Sequence, residues 1–361
     1  MRFYIPTKIF SEEQCVVNHS LDIAAYGKKA LIVTGRNSAK SSGAFADVLS
    51  ALGQEEVDSV LFDEIEENPS IETVMRAAQF GLREQVDFVI GIGGGSPLDA
   101  AKAIAMMIAN PDEDERLLYD GTKPTKNLPV VAVPTTAGTG SEATPYSILT
   151  IHKSRTKKSL PHMIFPDLAL VDGRYLTSIS QSGMVYTAVD TLAHLIESCL
   201  NTHATGYSRM LSEYGLKLWA KAKFLLNHQP NDLEPAERFL LMEASTVAGM
   251  AISHTGTSLP HGLSYMLTYE YGIPHGKAVG VFLPNFLEAY LDVSDVENVL
   301  KLLGFEDLDE FRLFLTRLLG EINIPEEVLL ANGKTVLANQ GKMANYPFPM
   351  SEEEMADICR L

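Results

Sequence analysis

The sequence predicts two domains of different class: an α/β domain built on a parallel sheet over residues 1–180, then an all-α domain over residues 181–361. Three observations carry this reading. The first half alternates short β-branched apolar runs with stretches of helical spacing, the pattern of strand–helix–strand units. Those apolar runs lack polar alternation, so both of their faces are buried, as in parallel sheets. Beyond about Asp172–Gly183 the periodicity is almost entirely helical.

Taken in order, KKALIVTG (28–35) is an apolar run that stops at glycine, and VDSVLFDEI (57–65) reads as a second strand. IETVMRAAQFGLRE (71–84) has the i, i+3, i+4 spacing of an amphipathic helix. VDFVIGIGGGS (86–96) is a continuous apolar strand running into glycines, and PLDAAKAIAMMIA (97–109) is an Ala-rich helix. LPVVAVPTTAGTGSE (128–142) is again a strand running into a Gly/Thr loop. In the second half, SGMVYTAVDTLAHLIES, YSRMLSEYGLKLWAKAKFLL, PAERFLLMEASTVAGMAI, VSDVENVLKLLGF, LDEFRLFLTRLLGEI and SEEEMADICRL all read as helices.

Composition narrows the function classes. Hydrophobic residues make up 46% of the chain, enough for packed cores. A formal net charge of −17 argues against nucleic acid or an anionic membrane surface as partner. Cys15, Cys199 and Cys359 have no C-x-x-C spacing and are odd in number, which points to a reducing compartment rather than a disulfide framework. MRFYIPTKIFSEEQ has no signal-peptide pattern, and no apolar run approaches the ~20 residues of a membrane span. The expectation is a cytoplasmic protein.

Two glycine loops carry the first chemistry. GGGSPLD (93–99) follows a strand and opens a helix; Ser96 reads as its N-cap, Pro97 as the first helical residue, and Ser96 with Asp99 as a capping box. Bare backbone N–H groups at a helix N-terminus suit a phosphate. The alternative is a tight turn with no ligand, but three glycines exceed what a turn needs. PTTAGTGSE (134–142) ends another strand, and Thr135, Thr136, Thr139 and Ser141 offer hydroxyls to phosphate or sugar oxygens. In a parallel sheet both loops gather at the carboxyl ends of the strands, where ligands bind.

The second half carries a different cluster. DTLAHLIES (190–198) puts Asp190 and His194 one turn apart on an otherwise apolar helix. Alone, that pair is either a satisfied hydrogen bond or half of a metal site. His261 and His275 each stand in Pro-His-Gly, where proline restrains the chain and glycine permits close backbone approach. Three imidazoles and a carboxylate suit Fe²⁺ or Zn²⁺ rather than Ca²⁺ or Mg²⁺. His254 lacks the following glycine and reads as a supporting or structural residue, and His203 as solvated; His19, His152, His162 and His228 carry no local signal.

With GGGSPLDAAK, PTTAGTGSE, TAVDTLAHLIES and the two Pro-His-Gly triplets in this order, the chain resembles the iron-containing alcohol dehydrogenase family. The resemblance implies a Rossmann-like dinucleotide-binding domain and a helical metal domain, an architecture shared with dehydroquinate synthase. It implies Asp190, His194, His261 and His275 as metal ligands, and Gly94, Gly95 and Ser96 on the pyrophosphate, with Asp99 and Lys102 continuing that motif. Thr135, Thr136, Thr139 and Thr144 would line the cofactor cleft, and Lys158, or in second place Lys157, would reach the ribose. It implies Fe²⁺ or Zn²⁺, NAD or NADP, a small alcohol or aldehyde as substrate, and a homodimer or larger homo-oligomer. Hydride would pass between the substrate carbon and C4 of the nicotinamide. Where many members have a second histidine four residues after the third ligand, this chain has Tyr265; Tyr265 and His275 are its candidate catalytic residues. Where NAD-specific sites end the first strand on an acidic residue, this chain has Gly35, followed by Arg36, Ser38 and Lys40, which points to NADP. The rivals are a lyase or cyclase of the dehydroquinate synthase kind and a catalytically silent nucleotide-binding protein.

Overall fold

The computed structural model describes residues 3–361. Six strands form one parallel sheet: β1 (Lys8–Ser11), β2 (Lys29–Thr34), β3 (Asp58–Phe62), β4 (Phe88–Gly93), β5 (Val130–Pro134) and β8 (Leu168–Val171), in spatial order β1-β8-β5-β4-β2-β3. Between β5 and β8 the chain makes a separate antiparallel hairpin, β6 (Ile148–Ile151) and β7 (Thr156–Ser159). β4 and β5 are buried at every residue, as central parallel strands must be.

Helices α1 (Ala44–Gln54), α2 (Ile71–Glu84) and α3 (Gly95–Ala109) complete the α/β half. Helix α2 coincides with the segment expected from its spacing, with Ser70 capping it by accepting from the Thr73 N–H. Helix α3 packs tightly on the sheet: a Cβ on Gly91 would lie 2.9 Å from the Ala101 Cβ.

After β8 every regular element is helical. The ones that build the site are α4 (Gln181–Cys199), α5 (Gly206–Ala222), α6 (Pro235–Thr255), α7 (Leu259–Tyr271) and α8 (His275–Gly280). Helix α4 is the centre of this half. From Ala188 to Cys199 it is buried on all sides, so each polar group it carries needs a partner. Among the described residues, no helix is long and apolar enough to cross a membrane.

Three sequence expectations are corrected here. Ser96 is not the N-cap of the glycine-loop helix: Gly94 occupies that position without a side-chain cap, and the helix already includes Gly95, Ser96 and Pro97. The Ser96 hydroxyl instead accepts the N–H of Asn68, 28 residues away, at 3.0 Å. Asp99 likewise makes no capping box; its carboxylate accepts from the Ser141 hydroxyl (2.5 Å) and the Ile148 N–H (2.9 Å). Third, strands β1 and β8 and the β6–β7 hairpin add to the strands legible in the sequence.

Candidate active site

Asp190 and His194 face the same way on α4, His261 lies in the first turn of α7, and His275 opens α8. The two Pro-His-Gly triplets do this placing. Pro260 stands at the start of α7 and Pro274 is the residue before α8, so each proline sets the chain for helix entry. A Cβ on Gly276 would collide with the Tyr186 carbonyl on α4, so glycine is what lets α8 lie against that helix.

The four side chains converge on one oxygen. Nε2 of His261 is 3.2 Å from Asp190 Oδ1, Nε2 of His275 is 3.7 Å away, and Nε2 of His194 is 3.9 Å away. Ligand atoms of Asp190, His261 and His275 all lie within 4.8 Å of one another. His194 flanks this triangle, its ring stacked on that of His261 with centroids 4.5 Å apart. The far nitrogens of two rings are tied back. His194 Nδ1 donates to the Gly138 carbonyl (3.3 Å), and His261 Nδ1 donates to Glu197 Oε1 (2.6 Å). This leaves both Nε2 atoms directed at Asp190. Nδ1 of His275 is buried with no hydrogen-bond partner among the described residues.

Glu197 is the residue that sequence reading passed over. It is fully buried, and its carboxylate also accepts the backbone N–H groups of Ser258 and His261. The start of α7 is thereby fastened to α4. Its signal was present: in DTLAHLIES it follows His194 by three residues, a carboxylate in an apolar run.

Burial alone would raise the Asp190 carboxyl, but the surrounding imidazoles, His194 first, hold it below the usual carboxylate range. Burial lowers His194 and His275, which are therefore neutral and able to ligate. Burial would also lower His261, yet Glu197 first and then Asp190 push it above the usual imidazole range. A proton and a cation thus compete for its lone pair. One carboxylate oxygen and three inward-facing imidazole nitrogens, two of them braced from behind, fit Fe²⁺ or Zn²⁺.

The glycine loops meet as expected at the carboxyl ends of β4 and β5. The Thr135 N–H donates to the Gly93 carbonyl at 2.9 Å. A Cβ on Gly94 would lie 3.0 Å from Thr136 Oγ1, and one on Gly95 would lie 2.7 Å from Thr139 Cγ2. The glycines therefore make room for the threonines as well as for a ligand. Thr135 Oγ1 is buried without a partner, an unsatisfied polar atom in a cleft bare of Cβ atoms. This fits a dinucleotide phosphate. Lys102, fully buried, donates to Ser141 Oγ (2.7 Å), the Tyr146 carbonyl (2.7 Å) and Thr144 Oγ1 (3.4 Å), so Lys102, Asp99 and Thr144 join the two loops from behind.

The two lysines of the pair face differently. Lys157 is the half-buried one: it donates to Asn68 Oδ1 at 2.6 Å, and burial pulls its ammonium down to about 8 against the opposing attraction of Glu67 and Asp190. Lys158 is exposed, with its ammonium over the Tyr119 ring at 5.2 Å. Consecutive strand residues face opposite ways, so only one of the pair turns to the cleft. At the end of β2, Gly35 is followed by an exposed Arg36, and Lys40 is paired with Asp63 (2.7 Å), which stands one residue past β3. His254 lies away from the site, its Nε2 accepting from the Tyr4 N–H. A surface cavity of about 660 Å³ between Glu12, Glu13, Glu234 and Glu243 holds none of the predicted site residues.

Residues 6–173 match the model of iron-containing alcohol dehydrogenases, and residues 184–360 match that of the C-terminal region of the same family. The chain belongs to the iron-containing alcohol dehydrogenase family. It is 30% identical over 270 residues to a long-chain primary alcohol dehydrogenase of Thermoanaerobacter ethanolicus, covering 74% of this chain and 67% of that one. It is 31% identical to a lactaldehyde reductase of Escherichia coli, covering 75% and 73%. An iron-containing alcohol dehydrogenase from Thermotoga maritima superposes with a TM-score of 0.92 at 36% identity, covering 99% and 98%. The enzyme is a metal-dependent NAD(P)-linked oxidoreductase acting on CH–OH groups or the corresponding aldehydes. Neither the lyase nor the silent-scaffold reading retains support.

Proposed function

We propose that this dehydrogenase interconverts small alcohols and aldehydes with Asp190, His194, His261 and His275 holding Fe²⁺ or Zn²⁺, and with NADP(H) used at least as well as NAD(H). The observation that carries the reading is the convergence of three imidazole Nε2 atoms on Asp190 Oδ1. When bound, the divalent ion supplies Lewis-acid polarisation of the substrate oxygen, and the nicotinamide supplies or accepts hydride at C4.

The chain's own contribution is orientation and exclusion of water. Gly94, Gly95 and Ser96 would hold the pyrophosphate, with Thr135, Thr136 and Thr139 lining its bed and Asp99, Lys102 and Thr144 keeping the two loops together. Lys157, rather than Lys158, would reach the nicotinamide ribose. Tyr265, its ring stacked 6.3 Å from that of His275, is the protic side chain available for moving a proton to and from the reaction site. Gly35 and Arg36 would border the adenosine ribose, where Asp63 offsets the charge of Lys40.

A division between the domains at residues 180 and 181 is supported by Ser180, which caps α4 by accepting the Gly183 N–H. Three buried free cysteines support a cytoplasmic protein. Exposed Tyr207, Met210 and Tyr214 on one face of α5 support a homodimer or larger assembly. The test is reduction of a panel of short aldehydes by protein stripped with chelator and reloaded with Fe²⁺ or Zn²⁺. Activity that returns with metal and requires a nicotinamide supports the reading. Equal activity of stripped and reloaded protein refutes it.

A further inference from the structure

The charge balance around the metal set says more about the substrate. The chain has 46 acidic residues against 29 lysines and arginines, so a lysine has many possible carboxylate partners. Lys8, Lys29, Lys40, Lys102, Lys123 and Lys334 each have a carboxylate within 4.0 Å. Lys157, Lys223, Lys277 and Lys342 are buried or half-buried and have none among the described residues; Lys223 and Lys277 donate instead to backbone carbonyls and Lys157 to Asn68, whereas Lys342 has only an aromatic ring. Lys157 comes from the α/β side, where Asn68 links it to Ser96 of the glycine loop. That connection places it with the cofactor.

Lys342 comes from the opposite side, in the short 340–343 helix of the helical domain. Its stem runs over Gly262, the residue after His261: a Cβ there would lie 3.5 Å from Lys342 Cδ and 3.7 Å from Cγ. Its ammonium rests on the Tyr265 ring, 4.9 Å from the centroid. The Tyr265 ring in turn lies nearly parallel to His275, 18° apart in plane and 6.3 Å between centroids. A cation is thus carried across the first turn of α7 to the aromatic neighbour of a metal-site histidine. A lysine held by a ring rather than a carboxylate keeps its N–H donors for an anionic ligand.

We infer that Lys342, held on Tyr265, is the specificity-determining residue for an anionic group on the substrate: the preferred substrate is a short alcohol or aldehyde bearing a carboxylate, sulfonate or phosphate at the end remote from the reacting carbon. The inference rests on the reading that Asp190 and its three histidines mark the reacting centre. A charge-assisted hydrogen bond from the ammonium then orients the chain with its oxygen toward that centre. Methionine at 342 keeps most of the stem that covers Gly262 and removes the charge.

The experiment compares matched pairs of aldehydes, such as butanal and 4-oxobutanoate, on metal-loaded enzyme with saturating cofactor, for the wild type and Lys342→Met. Calorimetry with 4-hydroxybutyrate and 1-butanol supplies a binding readout independent of turnover. A wild type that favours the anionic member, and a variant whose ratio of anionic to neutral kcat/KM falls by about tenfold or more, the worth of one charge-assisted hydrogen bond, support the inference. Weaker 4-hydroxybutyrate binding by the variant supports it too. A wild type indifferent to the charge, or a variant that loses both substrates in proportion, overturns it and leaves the dehydrogenase reading standing. No turnover of any aldehyde with either nicotinamide would remove both.

Discussion

Replacing Glu197 by glutamine tests whether the metal set is braced from behind. The carboxylate accepts His261 Nδ1–H at 2.6 Å, the His261 N–H at 3.3 Å, and the Ser258 N–H, all in a fully buried site. Glutamine keeps the shape and one accepting oxygen. Its amide nitrogen then faces a backbone donor, and the charge that steadies the imidazole is gone. A charge-assisted hydrogen bond is worth about 1.5–3 kcal/mol, against about 1 kcal/mol for the neutral bond that remains. Partners of metal-bound histidines typically contribute about 10–100-fold to affinity. Metal binding should therefore weaken by about 10–100-fold, with a loss of about 1–3 kcal/mol in stability from the mismatched donor. Competition against a chelator of known affinity measures the first, and chemical denaturation the second. A folded variant that binds metal within about threefold of wild type would show that Glu197 does not support His261 in the way described.

Gly95→Val should abolish dinucleotide binding while sparing metal uptake, because its side chain would strike Thr139 and push the two loops apart; cofactor titration at wild-type strength would count against the phosphate reading. Wild-type enzyme should use NADP(H) at least as efficiently as NAD(H), and Gly35→Asp should shift preference toward NAD, with a Cβ that has 3.2 Å to the Ile65 carbonyl. A wild type favouring NAD by about tenfold, the worth of a single charged contact, would remove this loop from the ribose. Metal uptake at neutral pH should release a proton, because Glu197 and Asp190 keep His261 protonated in metal-free protein. The same group has a raised folded-state pKa. Its contribution to metal-free stability is complete below the ordinary imidazole range and declines as pH rises through the folded value. Metal-free protein should thus lose stability on alkalinisation more than metal-loaded protein, and parallel melting curves in the two forms would contradict the assignment.

What the sequence made legible, and what it did not, follows from the range of the interactions. Helix α2 was readable residue by residue because its apolar stripe and its Ser70 cap are local. The gathering of Asp190 with three histidines was readable because Asp190 and His194 share a helix face and both other histidines stand between proline and glycine. The start of α3 was misread because the Ser96 hydroxyl is engaged by Asn68, 28 residues away, a contact no local pattern encodes. The choice between Lys157 and Lys158 needed the β6–β7 hairpin. Its strands, ILTI and TKKS, are short, and its placement depends on Thr150, whose N–H and hydroxyl reach Pro69 and Asn68. Asp63 became relevant only when the sheet set β3 beside β2.

The central claim is that Asp190 and three histidines form one metal centre on which the hydride chemistry depends. Its most direct test is metal analysis of purified His261→Ala beside wild type, with aldehyde-dependent oxidation of the reduced nicotinamide followed on the same samples. A folded variant that has lost most of its bound metal and nearly all activity is expected, since the ligand removed is the one that Glu197 braces from behind. A variant with a full metal complement and wild-type turnover would contradict it.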